Sequence, residues 1–179
     1  MNTLTVPVGK QDHVAGTSEA SVTLVEYGDY ECPYCRQAYY IVKKLQEDLA
    51  DELRFVFRNF PLSQIHPHAL QAALSAEAAG LQNKFWEMHD MLFENQDALK
   101  EEDLVSYAYA LKLDPAKFIN DMQSEKVLQK VQTDFWSGVR SGVNGTPTFF
   151  IQDKRHNGSY SYGELREAIE QAAPKGVKV

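Results

Sequence analysis

Cysteine is almost absent from this chain: Cys32 and Cys35 are the only two in 179 residues. A disulfide-stapled scaffold is therefore excluded, and a chain of this length can bury a core without staples. Long apolar runs are missing too. No stretch of about 18 apolar residues occurs, so no membrane insertion is expected. Residues 1–20 hold no continuous apolar segment, since "LTVPV" is short and broken by Thr5 and Pro7. A signal peptide is not expected on that ground. The cytoplasm is then the simpler location, with an exported form whose leader was removed as the alternative. Positive charge is in deficit: 18 Lys and Arg against 25 Asp and Glu give a formal net charge of −7. Such a balance supplies no overall attraction to nucleic acid or to anionic membranes. With no internal repeat or low-complexity tract, one domain over residues 1–179 is expected.

What is present falls into three zones of hydrophobic pattern. "SVTLVEY" (Ser21–Tyr27) is β-branched and apolar and reads as a buried strand ended by Gly28 and Asp29. A helix follows Cys32. Pro33 suits its first turn, and Ala38, Ile41, Val42, Leu45 and Leu49 make one apolar stripe. "LRFVFRNF" reads as a second strand, with Leu53, Phe55 and Phe57 alternating, which completes a βαβ unit. The second zone, residues 63–142, is helical in character. The third opens with "TFFI" (Thr148–Ile151) as a strand and "GSYSY" as a candidate further strand. A capping box at Ser161 and Glu164 then starts a last helix with Leu165, Ala168, Ile169, Ala172 and Ala173 inward. The tail "PKGVKV" reads as loose. The fold class is α/β: residues 20–62 and 143–174 share one sheet, with a helical insertion over residues 63–142 between them.

Three chemistries compete for a C-x-x-C pair. A structural staple closing so short a loop removes little unfolded-state entropy. A zinc site needs four ligands, and no second cysteine pair exists. His66 and His68 form an H-x-H but read as a polar loop, so no metal is expected. A redox dithiol has a positive case. Cys32 sits just before the first turn of a helix, where unpaired N–H groups and the positive end of the helix dipole favour a thiolate. Cys35, one turn on, can resolve a mixed disulfide.

The stretches "VTLVEYGDYECPYC" (Val22–Cys35), "KFWEMHDMLF" (Lys84–Phe93) and "GVNGTPTFF" (Gly142–Phe150) resemble the DsbA-like thiol–disulfide oxidoreductases of the thioredoxin-like superfamily. The resemblance runs from about His13 to Ala172. Glutaredoxins share the CPYC motif, but resemble a shorter core without the helical block and lack an acid where this chain has Glu26.

Glu26, six residues before Cys32, is an acid inside an otherwise apolar strand, where burial raises a carboxyl pKa. The resemblance implies that it takes a proton from Cys35 through water, with Arg58 as a candidate partner. It also implies that Thr146 and Pro147 form a cis-proline loop facing the cysteines, where the Thr146 backbone pairs with an extended substrate. Pro33 and Tyr34 complete the substrate-facing set. Tyr34 is neutral where strongly oxidising relatives carry histidine, and Asp29 and Glu31 add negative charge, so a milder oxidant is expected. Trp86, Met88, Phe93, Phe135 and Trp136 read as core, with some of them lining a groove near the cysteines. The expected function is dithiol–disulfide exchange with protein or small thiol substrates, reset by a separate redox partner. No cofactor is needed, since the cysteines carry the electrons. Two alternatives remain: a glutathione-linked reductase using Cys32 alone, and a chaperone-like binding module with an idle dithiol.

Overall fold

The computed structural model describes residues 3–174; the expected loose tail, past Pro174, lies outside them. A five-stranded sheet runs in the order β1 (His13–Ala15), β3 (Leu53–Asn59), β2 (Val22–Gly28), β4 (Thr148–Ile151), β5 (Lys154–Arg155). Only β2 and β3 are parallel, and β4 lies antiparallel on the other side of β2. The two halves read from the sequence therefore do share one sheet. Every residue of β2 is buried. Paired on both edges and covered on both faces, it needs the near-continuous apolar run that its sequence shows.

The crossover between β2 and β3 is α1 (Pro33–Leu49), which buries Cys35, Ala38, Tyr39, Val42, Leu45 and Leu49. Five helices stand between β3 and β4: α2 (Ala69–Gly80), α3 (Phe85–Glu94), α4 (Glu101–Ala110), α5 (Pro115–Met122) and α6 (Glu125–Arg140). The last helix, α7 (Tyr162–Ala172), buries Leu165 and Ile169. Gly138 is what lets α6 lie against the sheet: a Cβ there would stand 2.8 Å from the Phe60 ring and 2.9 Å from Tyr27. Among the described residues, no helix is long and apolar enough to cross a membrane.

Two local expectations change, and one strand is added. β1 is a three-residue edge strand paired with β3, too short to show a period in the sequence. "GSYSY" is not a strand, because β4 turns back at once through Gln152, at φ 58°, and Lys154–Arg155 supply the return strand. The capping box is half formed. Ser161 Oγ accepts from the Glu164 amide, but the Glu164 carboxylate takes the Ser159 amide instead of reaching back to Ser161.

The face of the sheet opposite α1 holds a buried ion pair. Arg58 donates from Nε and Nη2 to the two oxygens of Asp12 at 2.8 and 3.0 Å, and from Nη1 to Tyr27 Oη and the Val6 carbonyl. Both side chains are largely buried, Arg58 at 2% and Asp12 at 8% exposure. Removing one partner leaves the other charge buried and alone. Asp12→Ala is expected to cost about 3–5 kcal/mol of stability, read as a lowered urea midpoint with an unchanged slope.

Candidate functional site

Cys32 is the N-cap of α1, at φ −76° and ψ 121°, with no side-chain cap bond and with Pro33 in the first turn. The amides that an ordinary cap would satisfy are thus left for sulfur. Four interactions hold the Cys32 thiolate. The Cys35 thiol comes first, followed by Thr146 and the backbone amides of Cys35 and Tyr34, and against burial they bring its pKa from 9.0 down to about 5. Cys35, fully buried, is pushed well above its ordinary value, first by burial and then by its bond to Cys32. One helical turn therefore carries two thiols of opposite character. In the described structure both are free cysteines.

The loop before β4 closes over this pair. Thr146–Pro147 is a cis peptide, and the Thr146 carbonyl accepts from Cys32 Sγ at 3.5 Å. Thr146 Oγ1 is buried without a hydrogen-bond partner, and Thr146 is among the groups that favour the Cys32 thiolate. The loop is pinned by Arg155, whose guanidinium donates to the Gly142 carbonyl and to Asn144 Oδ1. Tyr34, between the cysteines, is 59% exposed and offers its ring outward.

Glu26 is 2% exposed, and one of its carboxyl oxygens is buried without a hydrogen-bond partner. Its pKa is raised from 4.5 to about 8, by burial first and by the Cys32 charge second. Beside it lies a cavity of about 90 Å³, also lined by Tyr39, Lys43, Gln46, His89 and Asp90, which is polar enough to hold water. Arg58 is not its partner. In the parallel β2–β3 register Glu26 stands beside Phe57, and Arg58 stands beside Tyr27. Neighbours in register share a face and successive residues alternate, so Arg58 projects from the opposite side of the sheet.

The loop carrying the H-x-H has another role than expected. His66 Nδ1 lies 2.8 Å from Asp29 Oδ2, and His68 Nδ1 lies 2.8 Å from Glu31 Oε1. Asp29 and Glu31 were expected to set their charge against the thiolate; instead their carboxylates are engaged by this loop. Two further residues escaped sequence reading. Gln96 Nε2 donates to the carbonyls of Tyr30 and Cys32 at 2.8 and 2.9 Å, steadying the turn into α1. Tyr160 lies where the two sulfurs influence its hydroxyl, which bonds Gln37 across α1. Both come from segments distant in sequence, and no local pattern marks them. Met88 and Phe93 are core, and His89 is buried against the Tyr30 hydroxyl, its pKa lowered to about 3 by burial. Phe135 lines an apolar groove of about 550 Å³ with Leu62, Ile65, Leu70 and Val131, along the loop that meets Asp29.

Burial of Glu26 has a signature in stability. Between pH 4.5 and about 8 the folded chain holds a proton that the unfolded chain has lost, so stability falls as pH rises through that window. Cys32 acts oppositely: from about pH 5 to 9.0 the folded thiolate has already lost a proton that the unfolded thiol keeps, so stability rises. Glu26→Gln removes the first effect. Relative to the parent, the reduced variant should gain stability progressively toward alkaline pH, by up to ~5 kcal/mol at about 1.4 kcal/mol per pKa unit. Urea unfolding as a function of pH measures it, and a constant difference would refute the assignment.

The family model described as Thioredoxin matches residues 9–171. A Na(+)/H(+) antiporter NhaA 1 of Salinispora arenicola is 45% identical over 170 residues, covering 94% of this chain and 26% of the antiporter. This chain thus spans about a quarter of the length of the curated relatives it matches. Among solved structures, oxidised BdbD from Bacillus subtilis is 30% identical with a TM-score of 0.81, covering 93% of this chain and 95% of BdbD. A thioredoxin-like oxidoreductase from Silicibacter pomeroyi is 30% identical with a TM-score of 0.82, covering 92% of this chain and 93% of that protein.

Proposed function

The chain belongs to the thioredoxin family and, within it, to the DsbA-like thiol–disulfide oxidoreductases, and from that premise we propose that it exchanges a dithiol for a disulfide with protein substrates through Cys32 and Cys35. One observation carries the reading: a single helical turn holds a thiol whose pKa is lowered to about 5 beside a buried thiol pushed well above 9.0. The first is suited to attack and to leaving, and the second stays protonated until it is needed.

In the reducing direction the Cys32 thiolate attacks one sulfur of a substrate disulfide. A Cys32–substrate bond forms, the substrate bond breaks, and the departing sulfur takes a proton from water. Cys35 then gives up its proton and attacks Cys32 Sγ. The Cys32–Cys35 bond forms, the second substrate sulfur leaves, and two electrons have passed to the substrate. The oxidising direction is the reverse. In it, a substrate thiolate attacks Cys32 and Cys35 departs.

Glu26 is the group we assign to the Cys35 proton, through water. Its raised pKa owes its second contribution to the Cys32 thiolate. Once Cys32 is spent in the mixed disulfide that charge is gone, so Glu26 becomes the stronger acid and yields a carboxylate when Cys35 must lose its proton. Thr146 and Pro147, over the sulfurs, would receive an extended substrate segment by strand addition. Pro33 and Tyr34, both exposed, complete the substrate-facing set. In this reading residues 20–62 and 143–174 form the thioredoxin-like core, and the helices within residues 63–142 are an insertion that walls one side of the site.

A Cys32 pKa of about 5 lies between the values of about 7 and about 3.5 found in a reducing thioredoxin and a strongly oxidising DsbA. The reduction potential of the pair should accordingly fall between about −270 and about −120 mV. Equilibration with glutathione measures it, and a value outside that interval would remove the link drawn between thiolate stability and redox poise. In parallel, insulin reduction and peptide dithiol oxidation should both be lost in Cys32→Ala. Cys35→Ser should accumulate mixed disulfide without turning over. Sustained glutathione-dependent turnover by Cys35→Ser would instead favour the single-cysteine chemistry.

A further inference from the structure

Asp29 directs every polar group it has at the surroundings of the cysteines. Its side chain is fully inaccessible. Oδ1 accepts from the Glu31 amide at 2.8 Å, and Oδ2 accepts from the Leu62 amide at 2.8 Å and lies 2.8 Å from His66 Nδ1. The carboxylate therefore ties the end of β2 to the loop that follows β3. The backbone of the same residue faces the dithiol. Its carbonyl accepts from the Cys32 amide at 3.1 Å, and its amide donates to Cys35 Sγ at 3.4 Å. A thiol sulfur that accepts one hydrogen bond keeps its own proton for a different acceptor. With the Asp29 N–H on one side of Cys35 Sγ, that proton is left to the Cys32 sulfur.

We propose that Asp29 is a positioning residue of the dithiol, anchored by His66 and the Leu62 amide, which holds Cys35 Sγ so that its thiol proton serves the Cys32 sulfur. The proposal rests on the dithiol reading given above. It also agrees with the order of influences on Cys32, of which the Cys35 thiol is the largest. Charge alone argues the other way: a carboxylate three residues from a thiolate disfavours it, so deleting the Asp29 charge would strengthen the thiolate. The two accounts thus differ in sign. The other groups that influence the pair are Glu26 from β2, Thr146 from the loop before β4, and Tyr34 and Tyr160 on either side. None of them is altered in the variants below.

The test is a thiolate titration of the reduced full chain, by ultraviolet absorbance and by alkylation rate. Parent, Asp29→Asn and Asp29→Glu are compared, each with Cys35 present and with Cys35→Ala. With Cys35 present, both substitutions should raise the Cys32 pKa by about one unit, an approximately tenfold loss of thiolate below that pKa. Asp29→Glu keeps the charge, so a rise there reports geometry. With Cys35 removed, Asp29→Asn should leave the Cys32 pKa unchanged or lower it, because only the charge remains. A fall or no change with Cys35 present overturns the proposal, as does an equal rise without Cys35. If Asp29→Asn does not fold, the Asp29→Glu pair decides: its rise must vanish in Cys35→Ala. Failure of the redox reading would show separately, as parent protein that exchanges no disulfide whatever the titrations give.

Discussion

A helix N-terminus that lacks an ordinary cap, and a sulfur that needs donors, satisfy one another at Cys32. Helix α1 begins with amides that have no intrahelical partner. A serine or aspartate at the N-cap would consume them. Cysteine leaves them free, and the Cys32 thiolate takes the Tyr34 and Cys35 amides together with the Cys35 thiol. Much else in the fold keeps this one arrangement in place. β2 delivers the chain to the start of α1, Asp29 and Gln96 fix the intervening turn, and the Thr146 loop covers the sulfur from the far side.

The strand that delivers the helix also carries the buried acid. β2 is central and covered on both faces, so each of its side chains enters one of two buried compartments. Glu26 enters the one beneath α1, where burial first and the neighbouring Cys32 thiolate second favour its protonated form. Tyr27 enters the other, where it joins Arg58 and Asp12 in a charge cluster that is paired and hydrogen-bonded throughout. One strand thus separates a buried carboxyl with a raised pKa from charges held fixed by their partners. The separation follows from strand alternation alone.

The loop after β3 joins the helical block to the cysteines. Through His66 and His68 it engages Asp29 and Glu31, and its apolar side chains line a groove shared with α6.

Much of this molecule was already determined by residue order. The spacing of Cys32 and Cys35, the proline after the first cysteine, and the periods of α1, β2 and β3 are local features, and local sterics and hydrogen bonding decide them. The isolated acid in β2 announced a buried carboxyl for the same reason. What the sequence could not show was which distant groups meet. Arg58, on the second strand, reads as a candidate partner of Glu26, but the pleat sends it to the other face. Asp29 and Glu31 read as free negative charge until tertiary packing brings His66 and His68 to them. Gln96 and Tyr160 carry no motif and reach the site only because helices and loops far apart in sequence close around α1. Propensity and periodicity act over a few residues, whereas the electrostatics of a thiolate depend on every group within several ångströms, and only the folded chain fixes that set.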